Sequence, residues 1–185
     1  MRKIPTLFRR DPDDMRHVLP EVTPGCEWVL NGEGVATRKY DGICVRCADD
    51  GTWWARREVK PGKQPPYLFD PVDYDEATGK TVGWEPYEQT GWARYVDEAI
   101  DHHPTNLYAG TYEMCGPKVN GNPEGYDTHT LVSHDNAEIW PVSRASLTFP
   151  LLRDIVVLRG ERGWEGLVWH HPDGRMAKLK ARDFT

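Results

Sequence analysis

At 185 residues the chain is long enough for one compact domain or two very small ones, and a single domain spanning 1–185 is the expectation. Lys and Arg total 23 against 29 Asp and Glu, a net charge of −6, which excludes a general polycation for duplex DNA and confines any nucleic-acid contact to a local basic patch. With 38% hydrophobic residues the chain can bury a core, yet no apolar run approaches the ~20 residues that span a bilayer. The start, MRKIPTLFRRDPDD, lacks the apolar region of a signal peptide, so a cytoplasmic address and no membrane partner are expected.

Residues 1–25 hold Pro5, Pro12, Pro20 and Pro24 with few periodic apolar positions, which predicts an irregular lead-in wrapped over the domain. Lys39-Tyr40-Asp41-Gly42 then reads as a polar turn just before a strand. GICVRCA, the turn Asp49-Asp50-Gly51 and TWWARREV form a strand, hairpin and strand signature, because Asp-Gly tolerates positive φ. Cys44 and Cys47 lie an odd number of positions apart on the first of these strands, so their thiols point to opposite faces and cannot share a metal ion. The stretch 60–86, rich in Pro, Gly and charge, is expected to be a long loop or an insertion.

Between Glu88 and His102 the residues Trp92, Tyr95, Val96, Ala99 and Ile100 lay one apolar stripe along a helix, which Pro104 stops. LYAGTYEMCG follows as a strand, GPKVNGNPEGYD as a loop and HTLVSH as another strand. A short apolar helix is predicted over Phe149 to Leu158. WEGLVWHH, the turn Pro172-Asp173-Gly174 and RMAKLKARDF close the chain as a second hairpin. Antiparallel hairpins with two intervening helices predict an α+β domain of antiparallel sheets flanked by helices. His102-His103 ends a helix and His170-His171 sits beside a turn with adjacent side chains pointing apart; no zinc is expected.

Lys178 and Lys180, two apart on a strand, project to one face, a costly arrangement unless an anion lies between them. Four elements recur in order along the chain: Lys39-Tyr40-Asp41-Gly42, Tyr112-Glu113, Glu165-Gly166-Leu167-Val168 and Lys178-Leu179-Lys180. Together they resemble motifs I, III, IV and V of the covalent nucleotidyltransferases, the superfamily of RNA ligases, DNA ligases and mRNA capping enzymes. The resemblance is closest to a small family of ATP-dependent RNA ligases whose motif III runs into a GPKVNGNP loop, and it covers Thr37 to Phe184.

The resemblance implies a nucleotidyltransferase domain without an appended OB-fold, acting as a monomer. Its expected substrates are ATP and RNA with 5'-phosphate and 3'-hydroxyl ends, joined through lysyl-AMP and RNA-adenylate. It makes Lys39 the nucleophile, with Lys178 and Lys180 as catalytic and phosphate-holding cations. Thr37, Arg38, Asp41, Gly42, Arg57 and Glu113 fall among the nucleotide-binding positions. Glu165, with Asp41, is implied as a ligand of Mg²⁺ or Mn²⁺. Glu113 would reach either the ribose hydroxyls or the water shell of the metal, and Arg57 is preferred to Arg56 for a ribose or phosphate contact. Trp140 or Tyr112 could stack on a base.

A lysine that attacks a phosphate must be neutral, and an unperturbed ammonium at pH 7 lies about 3.4 units, or roughly 4.6 kcal/mol, on the wrong side. Neighbouring cations reduce that penalty, since like charge disfavours the ammonium. Two departures from the wider pattern bear on specificity. Cys44 replaces the arginine of KxDGxR, which argues against capping enzymes and DNA ligases. Thr37 and Arg38 occupy the places where many RNA ligases carry a base-reading glutamate, which leaves the base open. A transferase that stops at adenylylation or uses GTP, and a non-catalytic RNA-binding module of the same fold, are the alternatives.

Overall fold

The computed structural model describes residues 1–76, 78–141 and 147–185. In chain order its elements are strands β1 (Phe8–Arg10) and β2 (Val18–Val22), helix α1 (Glu27–Leu30), strands β3 (Val35–Lys39), β4 (Ile43–Cys47), β5 (Trp53–Val59), β6 (Asp70–Asp75) and β7 (Lys80–Pro86), and helix α2 (Ala93–Asp101). Strands β8 (Gly110–Cys115), β9 (Thr130–Ser133) and β10 (Ile139–Trp140), helix α3 (Phe149–Gly160), and strands β11 (Gly166–His170) and β12 (Met176–Lys180) follow. The named strands pair antiparallel throughout, and with the helices they make an α+β protein. Among the described residues no helix is long and apolar enough to cross a membrane.

The sequence reading treats 1–185 as one domain; contacts divide the chain into two compact units, each assembled from separated segments. Met1–Lys3 and Asp41–Asn136 form a six-stranded unit, and Ile4–Tyr40 and Ala137–Thr185 form a four-stranded unit.

In the six-stranded unit the sheet order is β6-β7-β5-β4-β8-β9. The β4–β5 hairpin turns where expected: Gly51 has φ 84 and donates its N–H to the Ala48 carbonyl. One sheet face carries Val45, Cys47, Ala55, Tyr112, Met114 and Leu131, and α2 covers it with Val96 and Ala99, the stripe its sequence spacing predicts. The region 60–86 is not a long loop, because it contains β6 and β7, with Val82 and Trp84 buried. Proline and charge disguised these strands. Pro71 is tolerated since β6 is an edge strand, with a register shift between Pro71 and Asp73.

In the four-stranded unit the order is β10-β3-β11-β12, with β1 and β2 as a separate two-stranded ribbon. The sheet's inner face, Ala36, Leu167, Trp169, Ala177 and Leu179, packs on Leu152 and Val156 of α3, four apart on one helical face. Residues 1–25 are not an irregular lead-in, because Leu7 and Phe8 are fully buried in this core and β1 pairs with β2. Apolar runs this short carry no readable period, and Pro20 suits a strand with only one neighbour. Strand β3 takes in the first residue of the expected polar turn, Lys39, and residues 40–42 lead into β4.

Candidate active site

The register of three strands builds the site around Lys39. Gly166 pairs with Lys39 on one side and Lys180 on the other, and Val168 pairs with Thr37 and Lys178. Residues paired across a ladder share a face and alternate residues repeat it. Thr37, Lys39, Lys178 and Lys180 therefore project from the same side of the sheet, opposite the α3 core. The middle position of the row Lys39–Gly166–Lys180 has no side chain. A Cβ on Gly166 would lie 2.0 Å from the Leu179 carbonyl oxygen, so the strand approach demands glycine there.

Glu165, just before β11, is the counter-ion of this row. Its carboxylate meets Lys39 Nζ at 2.5 Å through Oε2 and takes Lys180 Nζ on Oε1, with Arg182 3.7 Å from the same oxygen. Only 8% of the Glu165 side chain is exposed. Burial works against its charge, but the ammonium charges of Lys39 and Lys180 and hydrogen bonds from both outweigh it, and its pKa lies below the ordinary glutamate value. For Lys180 burial is the largest influence and lowers the pKa, with Lys39 and Arg182 acting the same way against the pull of Glu165. Lys39 Nζ also donates to the Tyr40 carbonyl at 3.3 Å.

Thr37, buried beside this row, places its hydroxyl 3.3 Å from the Val168 carbonyl and 3.0 Å from His170 Nε2. Arg38 does not join it. Alternation turns Arg38 to the other side of β3, where its guanidinium lies 4.7 Å from the Tyr40 ring centre, 5.0 Å from that of Trp164 and 3.7 Å from Glu138. Trp140 is engaged in the same aromatic group, with Arg159 3.7 Å over its ring and Trp164 at its edge.

Asp41, Gly42, Arg57 and Glu113 belong to the six-stranded unit. Glu113 on β8 is buried; its Oε1 accepts the Gly42 N–H at 3.1 Å and its Oε2 lies 3.1 Å from His134 Nε2. His134 Nδ1 is 2.8 Å from the Thr111 hydroxyl. A Cβ at Gly42 would lie 2.5 Å from the Met114 carbonyl oxygen, which explains the glycine. The Asp41 N–H donates to Glu124 at 2.9 Å and its carboxylate accepts from Asn120 at 2.8 Å. Asn120 and Asn122 hold φ of 49 and 59, so the GPKVNGNP loop is shaped by residues that tolerate the left-handed region.

Register also separates the two arginines of β5. Arg46 pairs with Trp54 and Cys44 with Glu113, so Cys44, Arg46, Trp54, Arg56 and Glu113 share a face. Arg57 stands on the opposite face with Ala55, more than half exposed and 3.7 Å from Glu85. Of the two, Arg56 is the one on the face of Glu113, and its Nε is buried without a hydrogen-bond partner. Tyr112 cannot present its ring to a base: it is 5% exposed in the core under α2 and its hydroxyl donates to the Tyr108 carbonyl at 2.7 Å. Cys44 and Cys47 lie on opposite faces as parity requires, and burial raises the Cys47 thiol.

His134, Asn120 and Glu124 are supporting residues that the sequence reading does not single out. Only the Asn-Gly-Asn run signals its geometry in sequence; the others become visible through cross-strand register. Among the described residues no three His, Cys, Asp or Glu side chains converge as a ready metal cage. Glu165 matches the chemistry of a hard divalent ion, which takes one or two carboxylates and completes its shell with phosphate oxygens and water. The chain matches no protein-family model and no curated protein sequence.

Proposed function

We propose that the chain is an ATP-dependent RNA ligase of the covalent nucleotidyltransferase type. The observation that carries this reading is a lysine at a strand end whose amino group meets a buried glutamate and whose neighbour across one glycine is a second, partly buried lysine. A structural ion pair needs only two partners. Three cations on one buried carboxylate make a site with surplus positive charge, suited to polyphosphate.

In the first step the neutral amine of Lys39 attacks the α-phosphorus of ATP; a phosphorus–nitrogen bond forms and pyrophosphate leaves. Lys180 and Lys178 hold phosphate oxygens and stabilise the charge that develops on them. Lys180 also acts on the nucleophile, because a second cation beside Lys39 disfavours its ammonium. Glu165 opposes this while it pairs with Lys39. It is also the carboxylate that would hold Mg²⁺ or Mn²⁺, whose charge, when bound, competes with the ammonium of Lys39 and neutralises phosphate oxygens. In the second step AMP passes from Lys39 to the RNA 5'-phosphate. In the third the 3'-hydroxyl attacks that phosphate, making the phosphodiester and releasing AMP.

Intact mass and α-labelled ATP test the reading. The purified chain should gain one AMP on Lys39, chase it into 5'-phosphorylated RNA and seal the strand, and Lys39→Ala should keep its circular dichroism and take no label. Label that persists in Lys39→Ala removes the nucleophile assignment, and label without joining of any strand leaves a transferase limited to adenylylation.

A further inference from the structure

The basic strand β12 is held from behind by residues that no motif includes. The backbone of Pro5–Leu7 runs alongside it: the Lys178 N–H donates to the Pro5 carbonyl at 2.9 Å, the Leu7 N–H donates to the Lys178 carbonyl at 2.8 Å, and Thr6 bridges Lys178 in parallel. At the end of β12 the Lys180 N–H donates to Asp183 Oδ2 at 2.8 Å. Asp183 is 1% exposed, and its other oxygen faces the Arg10 guanidinium at 2.7 Å as an ion pair without hydrogen-bond geometry. The same guanidinium donates to the Arg16 carbonyl at 2.8 Å and reaches Thr6 Oγ1 at 3.5 Å. One planar fork thus ties the ribbon β1–β2, the added strand and the turn after β12.

A buried carboxylate is stable as a charge only when it is paired and hydrogen-bonded. Without Arg10, Asp183 would have to protonate or turn toward water: protonation weakens the acceptor that fixes the Lys180 backbone, and turning away removes it. A lysine has one nitrogen and cannot replace a fork that meets three partners.

We propose that Arg10 is a positioning residue for Lys180, acting through Asp183 so that the N-terminal segment sets the geometry of the cationic row. The effect on catalysis rests on the reading of Lys180 as a phosphate-holding cation; the clamp itself does not. Two measurements separate these. Amide hydrogen exchange on the full chain reads the clamp: Arg10→Lys, the milder change, should speed exchange of the Lys180 amide by about tenfold while the Val156 amide in α3 keeps its protection. Single-turnover adenylylation reads the consequence: the rate at saturating ATP should fall by about tenfold in Arg10→Lys, as misplacement of a catalytic group does, with the half-saturating ATP concentration little changed. Guanidinium chloride at millimolar concentration should restore part of the rate in Arg10→Ala and none in Lys180→Ala. Unchanged Lys180 exchange overturns the clamp, and changed exchange with wild-type adenylylation overturns its role in positioning. If the wild-type chain never takes label, the ligase reading fails and exchange alone decides whether Arg10 and Asp183 fix β12.

Discussion

Glu165 concentrates the electrostatics of the cationic row in one side chain. Its folded pKa is depressed, so the stability its charge contributes is fully present above the unfolded value and is lost as pH falls through the folded one. Glu165→Gln removes that charge at every pH and leaves partly buried ammonium groups short of an acceptor, which should lower stability at neutral pH by about 1–3 kcal/mol. The difference from wild type should shrink below the ordinary glutamate range, where the wild-type carboxyl also becomes neutral. Urea melts at several pH values measure this. A constant difference across the acid range would mean that packing, not charge, is what the substitution removed.

Strands convert residue spacing into faces, and the two sheets use this differently. In the six-stranded unit the face with Glu113 is also the face of Arg56, while Arg57 lies with the α2-covered core. On the ligase reading, Arg56→Ala should weaken ATP binding or adenylylation by about 10- to 100-fold, the range for losing a hydrogen bond to a charged group. Arg57→Ala should stay within about threefold of wild type, since it leaves only an exposed contact with Glu85. The reverse ranking in a labelling assay would mean the catalytic contribution comes from the core-side face. Helix α3 shows the other use of spacing. Leu152 is fully buried against the sheet that carries the lysines. Leu152→Ala should cost about 2–5 kcal/mol by opening a cavity, read as a lower denaturation midpoint with an unchanged slope.

For the whole molecule, charge limits how RNA can be held. If the chain acts on RNA as proposed, a net charge of −6 gives no general positive field, and any grip must come from local basic residues. Binding should be weak, and the binding constant should fall by about one log unit per contacted phosphate for each log unit of salt. On that reading selectivity should come from the 2'-hydroxyls near the joined ends. Strands with 5'-phosphorylated RNA and an RNA 3'-hydroxyl should be sealed far better than all-DNA ends. Replacing only the few nucleotides on the 3'-hydroxyl side with DNA should already slow sealing. Equal sealing of DNA and RNA would point to a general or DNA-directed ligase.

Local chemistry determined much of the architecture from the sequence alone. Asp49-Asp50-Gly51 and Pro172-Asp173-Gly174 mark the two hairpins because Gly51 and Gly174 take positive φ, and the spacing of Trp92 to Ile100 and the apolar run from Phe149 to Leu158 mark the helices. Parity likewise put Lys178 and Lys180 on one side of a strand before their partners were known. What parity cannot decide is which side faces the core, or which distant strand lies alongside, because the answer depends on residues far away in sequence. Thr37 meets the Val168 carbonyl across 131 positions, and only that pairing sets Lys39 and Lys180 on either side of Gly166. The same long-range register turned Arg38 away from Lys39, buried Tyr112, put Arg56 on the face of Glu113 and Arg57 on the other, and drew Leu7 and Phe8 into the core. Local propensity acts over a few residues, whereas register and burial are settled by the free energy of packing whole faces together, and the tertiary structure alone decided them.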